Sequence, residues 1–140
     1  MNRTGCLLGV VLAVAVGVSV PGGAACGGDA PPSAPVITEP APGSVLNGAD
    51  VHMETGPFAD ADAGDEHVCT DWEIWTVSPS ARVWSTLCIG GVERLHTHLG
   101  DGVFEGSHAD FRELQAGTQY VLRVRHRSSG GGGVWSGWSE

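Results

Sequence analysis

The chain contains no lysine, and basic residues of any kind are scarce. After residue 25, six arginines stand against sixteen carboxylates, a formal balance of about −10. Nucleic acid and anionic lipid surfaces both require a basic footprint on the protein that binds them. The composition therefore excludes both as partners, and an acidic surface of this kind mainly keeps a domain in solution.

Recognised catalytic motifs are also missing from the sequence. It has no GxSxG, HExxH or CxxC segment, and the glycine-rich SSGGGGV stretch lacks the lysine of a phosphate-binding loop. We therefore expect a stand-alone chain that is not an enzyme. A paired-carboxylate hydrolase stays open as an alternative, because almost any acidic chain offers such pairs.

Only one long apolar run is present, from Cys6 to Val20. Its fifteen residues fall short of the roughly 20 that span a bilayer. The run follows a short basic start and precedes the small residues PGGAA, which predicts a signal peptide over residues 1–25 and an exported protein. A retained membrane anchor is the alternative.

Export leaves an odd number of cysteines in an oxidising compartment: Cys26, Cys69 and Cys88. Cys26 ends the segment GGAAC, which resembles the lipobox of bacterial lipoproteins, although Gly23 stands where an apolar residue is usual. That resemblance implies lipidation at Cys26, with ordinary cleavage nearby as the alternative. Membrane contact would then come only through the signal or a lipid anchor. Residues 26–33 are predicted to be a flexible tether.

From residue 34 onward, apolar and polar residues alternate with the period of a β-strand. In TQYVLRVRHR, for example, Tyr120, Leu122 and Val124 fall on one face and the arginines on the other. Short strands of this kind, separated by proline and glycine turns, predict one all-β sandwich domain over residues 34–140.

The two remaining cysteines fit a hairpin. If the chain folds back about Ser78 and Pro79, Cys69 faces Cys88, although a bulge could shift that register. A disulfide there would contribute about 3 kcal/mol in the chain-entropy model. A metal-binding cysteine pair is the alternative, but it lacks the usual close spacing.

The segment LQAGTQYVLRVRHR, residues 114–127, resembles the region before and within the sixth strand of fibronectin type III domains. The resemblance extends to the proline-rich APVITEPAPGSVL and to Trp72 as a core residue, and it covers roughly residues 34–140. It implies an immunoglobulin-like β-sandwich in which Tyr120 makes a corner contact. It also implies that the last strand is short or missing.

Near its end the sequence reads WSGWS, which matches the Trp-Ser-x-Trp-Ser motif of cytokine-receptor fibronectin domains. The resemblance implies that Trp135 and Trp138 stack against Arg123, Arg125 and Arg127. Arginines two residues apart project from one strand face, so indole rings can insert between guanidinium planes. An aromatic platform for a sugar is the alternative.

The segment FADADAGDEH places Asp60, Asp62 and Asp65 around Gly64. Carboxylate oxygens beside a tight turn are the ligands that Ca²⁺ prefers, so calcium is the one cofactor that the sequence suggests. The alternative is an acidic loop that is simply solvated.

A second group of metal-ligating residues lies in RLHTHLGDGVFEGSH. His96 and His98 share one strand face, which a transition metal can use, and His108, Asp101 and Glu105 follow in the same segment. Surface histidines in a segment rich in loops are common without a metal, and that reading stays open.

Together these observations predict an exported, lipid-anchored, non-catalytic fibronectin type III-like module of the cell envelope. It would act in adhesion or interaction, with a protein or glycan as its partner. A resemblance to modules that precede quinoprotein sugar dehydrogenase domains implies an alternative. In that case the chain is a truncated N-terminal accessory domain of a secreted PQQ-dependent enzyme.

Overall fold

The computed structural model describes residues 28–140, so the predicted signal peptide and Cys26 lie outside the described residues. The described part is mostly β, as the sequence predicts. Its helices are short 3₁₀ segments at Gly91–Arg94, Leu99–Asp101, Gly106–His108 and Gly130–Gly132. Across residues 28–140, no helix combines the length and apolarity needed to cross a membrane. The strands are β1 (Ile37–Glu39), β2 (His52–Thr55), β3 (His67–Thr76), β4 (Ala81–Ile89), β5 (His96–His98), β6 (Val103–Phe104) and β7 (Tyr120–Ser128).

These strands form two antiparallel sheets. One contains β1, β2 and β5 in that order, and the other contains β6, β4, β3 and β7. β3 is central in the second sheet, with β4 on one side and β7 on the other. The chain crosses from one sheet to the other through the loop 56–66, between β2 and β3. As a result, β2 pairs with β5 and β3 pairs with β7, although the members of each pair are far apart in the sequence.

The period-two pattern decides which side chains enter the core between the sheets. Val51 and Met53 are buried, whereas His52 between them is exposed. In β3, Trp72 and Ile74 join the same core, and the residues that alternate with them point to the outer face. One apolar cluster thus draws on both sheets.

Two tryptophans fill the centre of that core. Trp72 and Trp84 are completely buried, and each indole N–H has a partner. Trp72 donates to the carbonyl of Glu93 at 3.1 Å, and Trp84 donates to that of Leu99 at 3.0 Å. Because truncation to alanine would leave a large cavity and a carbonyl without its donor, it should cost about 3–5 kcal/mol at either position.

The predicted disulfide is confirmed. Cys69 and Cys88 join β3 to β4 across a Cα–Cα distance of 4.7 Å. The register shifts between Thr70 and Trp72, and Cys88 has a positive φ of 49°. Thr70 consequently faces Ile89, so the bonded cysteines are diagonal neighbours and not direct cross-strand partners.

The tail after β7 lies along that strand. Arg127 bridges to Trp135, and Val124 bridges to Ser139. The Ser139 N–H donates to the Val124 carbonyl at 2.8 Å, and the Val124 N–H donates back at 3.0 Å. The tail therefore covers the free edge of the four-stranded sheet.

One end of the core is polar. The ring of His126 is buried 4.3 Å from that of His67 and 6.0 Å from that of Phe58, and its Nε2 lies 3.4 Å from the Thr55 hydroxyl. Burial, followed by the charge of His67, lowers the pKa of His126 to about 4. Burial and the charge of Arg94 lower the pKa of His67 to about 4 as well. Both rings are therefore neutral in the folded protein at neutral pH.

These pKa values predict loss of stability in mild acid. The unfolded chain binds protons at both histidines as the pH falls through about 6.5, whereas the folded chain resists protonation until about 4. Stability is therefore fully present above about pH 6.5 and declines below it. Urea unfolding should show that His126 alone accounts for a loss on the order of 2 kcal/mol between pH 7.5 and 5. In His126→Phe, that pH difference should shrink, and an unchanged difference would contradict the assignment.

Candidate functional site

The outer face of the four-stranded sheet carries an alternating column of aromatic and cationic side chains. We call it the Trp–Arg ladder, and its members in spatial order are Trp75, Arg123, Trp138, Arg125, Trp135 and Arg127. The guanidinium carbon of Arg125 lies 4.3 Å from the ring centre of Trp135 and 4.4 Å from that of Trp138. The other three distances are 5.2 to 5.6 Å. The structure thus brings together all five residues that the sequence singled out for this stack and adds Trp75 from β3.

Carboxylates pair with two of the three arginines of this face, Arg123 and Arg125. Arg125 donates from Nε to Asp71 at 2.8 Å, and a terminal nitrogen of the same guanidinium lies 2.7 Å from the same oxygen. Arg123 lies 2.9 Å from Glu140, and Asp71 itself is only 3% exposed at its side chain. Because paired guanidinium planes have fixed orientations, the indoles stack on preformed surfaces.

The opposite outer face, on the three-stranded sheet, carries three histidines that we call the histidine cluster: His52, His96 and His98. In the β2–β5 pairing, His52 is the direct partner of His98, and Glu54 is the partner of His96. The three ring centres are 4.3 to 4.6 Å apart. One ligating nitrogen from each ring lies within 4.8 Å of the others.

This arrangement corrects part of the sequence-based metal hypothesis. His96 and His98 do share a face, but the third histidine beside them is His52, and His108 is buried elsewhere. The Nε2 of His108 lies 3.1 Å from the hydroxyl of Tyr120, the first residue of β7. The alternation of Val51, His52 and Met53 in the sequence is a signal that places His52 on an outer face, but the spacing does not show which strand lies next to β2.

Asp101 and Glu105, the two carboxylates of that hypothesis, lie in different places. Asp101 stays near the cluster, 3.5 Å from the Nδ1 of His98. Glu105 instead pairs with Arg82 at 2.6 Å and accepts a hydrogen bond from Ser85 at 2.9 Å. Glu105 is therefore part of the second sheet's ion pairs and not of the histidine cluster.

The acidic loop between β2 and β3 gains a member that the sequence did not suggest. Asp29, from the predicted tether, joins Asp62 and Asp65 in a group with one oxygen each within 4.8 Å of one another. Asp60 lies at the edge, where its carboxylate accepts the N–H of Asp62 at 3.0 Å. Burial, and then the charges of Asp29, Asp60 and Asp62, raises the pKa of Asp65. Calcium binding here stays a prediction.

Comparisons with protein-family models, with curated proteins and with solved structures found no match for this chain. The geometry of the described residues therefore carries the functional argument.

If the Trp–Arg ladder stabilises the fold, replacing its central arginine should lower the stability. Replacement of Arg125 by lysine keeps the charge but removes the planar group that two indoles contact, and should cost about 1–2 kcal/mol. The melting temperature should fall and the tryptophan fluorescence should change. Arg112→Lys, in an exposed loop, is the matched control and should alter neither. If Arg125→Lys also left both quantities unchanged, the ladder would not contribute to stability.

Neutralising Asp65 should affect the melting temperature differently in the absence and in the presence of calcium. Because the pKa of Asp65 is raised, its ionised form is unfavourable in the folded chain, and Asp65→Asn should raise the melting temperature at pH 7 in a chelator. In millimolar Ca²⁺ the wild type should gain stability and the variant should not. Asp110→Asn, an exposed residue in another loop, controls for the change in net charge. A wild type indifferent to calcium would exclude the site.

Proposed function

We propose that the chain is an exported, non-catalytic module with a fibronectin type III-like fold, anchored at the cell envelope, that acts by binding a protein. The Trp–Arg ladder carries this proposal. It gives the WSGWS segment an internal role, in which the indoles of Trp135 and Trp138 each contact two guanidinium groups. Rings engaged in this way are poor platforms for a sugar, which favours a protein partner over a glycan.

The strand order supports the fold part of the proposal. Immunoglobulin-type sandwiches place the first, second and fifth strands in one sheet and the third strand with the last two in the other. Here β1, β2 and β5 share one sheet, and β3, β7 and the tail share the other. β4 pairs with β3 instead of joining the first sheet, a variation that this architecture accommodates.

Tyr120 gives independent support. It stands at the start of β7, and its hydroxyl accepts a hydrogen bond from the backbone N–H of Gln115 at 2.9 Å. A tyrosine at this corner that bonds to the backbone a few residues upstream is a hallmark of such sandwiches. The contact ties the loop before β7 to the strand.

A surface for a protein partner lies at the end of the molecule near that corner. The loops 40–48 and 110–119 line an open groove of about 1590 Å³. Val45 is 99% exposed at its rim, and Leu46 and Phe111 are also exposed. Exposed apolar side chains that line one groove are typical of interaction sites.

Anchoring is tested first, in cells that export the protein. It should sediment with membranes, enter the detergent phase of a Triton X-114 partition, and show an intact mass equal to residues 26–140 plus lipid. Cys26→Ser should release it from the membrane. Cys6→Ser, within the predicted signal peptide, is the matched control and should leave the mature mass unchanged. A cytosolic protein with residues 1–25 still attached would contradict export.

Binding is tested on the same exported protein with a photo-crosslinking residue at position 45. A discrete crosslinked species should form from that position. Position 103, where Val103 is 70% exposed on β6 outside the groove, is the control and should give none. Equal crosslinking from both positions, or none from either, would remove the groove as the binding surface.

A further inference from the structure

The alternation of side chains along β2 and β5 places all three histidines of the cluster on the outer face of their sheet. On β2, Met53 points inward and is fully buried, so His52 must point outward. On β5, Thr97 is fully buried in the same way, so His96 and His98 must point outward. Because β2 and β5 pair directly, the outward residues of both strands meet on one surface.

Carboxylates surround the three rings in a regular pattern. The Nδ1 of His52 lies 3.7 Å from Glu39, that of His96 lies 4.0 Å from Glu54, and that of His98 lies 3.5 Å from Asp101. None of these three contacts is a hydrogen bond, so the carboxylates act on the rings as nearby negative charges, which favour a bound cation.

His96 supplies a second observation. Its Nε2 is buried, and within residues 28–140 it has no hydrogen-bond partner. A buried imidazole nitrogen without a partner is unfavourable, since it has lost its water and gained nothing in exchange. A metal ion at the centre of the cluster would satisfy it.

We propose that His52, His96 and His98 bind one divalent transition-metal ion, for which zinc is the reference. Imidazole nitrogen suits zinc, copper and nickel, whereas calcium and magnesium prefer oxygen. Zinc–nitrogen bonds of about 2.0–2.1 Å in tetrahedral geometry place the nitrogens about 3.4 Å apart. Because the ligating nitrogens already lie within 4.8 Å of one another, they must approach by at most about 1.4 Å, which rotation of surface side chains can supply.

Glu54 is the side chain best placed to complete the coordination. Besides facing His96, it belongs with Glu39 and His52 to a second group whose ligand atoms lie within 4.8 Å of one another. Three histidines with a carboxylate or water in the fourth position form an established zinc coordination set. The site lies on the sheet opposite the Trp–Arg ladder and does not depend on the proposed protein-binding function.

Calorimetry on the exported protein, purified without a polyhistidine tag and stripped with chelator, tests the site. Zinc should bind with one-to-one stoichiometry and raise the melting temperature by at least about 4 °C at about 100 times the Kd. Cobalt in place of zinc should give the intense visible absorption of a tetrahedral site. His52→Gln and His98→Gln should each weaken zinc binding by about 100-fold or more, and Glu54→Gln by about tenfold.

Two controls make the outcome decisive. The metal-free His52→Gln and His98→Gln variants should melt close to the wild type, because both side chains are exposed, so lost binding cannot be attributed to misfolding. Asp65→Asn should bind zinc normally, since it alters only the separate aspartate group. The proposal is overturned by an absence of saturable zinc binding in the micromolar range. It is equally overturned if zinc binding survives both histidine variants or is lost in Asp65→Asn.

Discussion

The ion pair between Asp71 and Arg125 is the interaction on which most of this structure depends. A carboxylate that is 3% exposed is tolerable only if it is fully paired, because its desolvation costs several kcal/mol. Arg125 satisfies one oxygen of Asp71, and the N–H of Cys88 donates to the other at 2.6 Å. The pair therefore fixes the bulge that carries the disulfide. It also orients the guanidinium plane on which Trp135 and Trp138 stack, and through those rings it holds the tail against β7.

The two outer faces of the molecule differ in chemistry. On the four-stranded sheet, Arg123 and Arg125 lie between indoles and also pair with Glu140 and Asp71, so that surface contributes mainly to stability. The three-stranded sheet has no such column among the described residues. It presents the histidine cluster, with its surrounding carboxylates, to solvent. The proposed metal site accordingly lies on the face that the ladder does not use, and the groove proposed for a partner is lined by the loops 40–48 and 110–119.

Much of the fold was predictable because it depends on local alternation. Trp72 and Ile74 had to share a face, and Asp71 had to occupy the other, wherever β3 came to lie. The disulfide was predictable because a hairpin brings Cys69 near Cys88, although the place and size of the register shift were not. The spacing of Arg123 and Arg125 likewise indicated a ladder before any partner strand was known.

The sequence by itself determined the all-β class, the face on which each side chain lies, the cysteine pairing and the residues suited to a cation–aromatic stack. Only the tertiary structure decided which strands are neighbours. It placed His52 beside His96 and His98, moved His108 into the interior beside Tyr120, and brought Asp29 to the acidic loop. The physical reason is that period-two alternation is a property of one strand. The pairing of distant strands is selected by the packing of the whole core between two sheets.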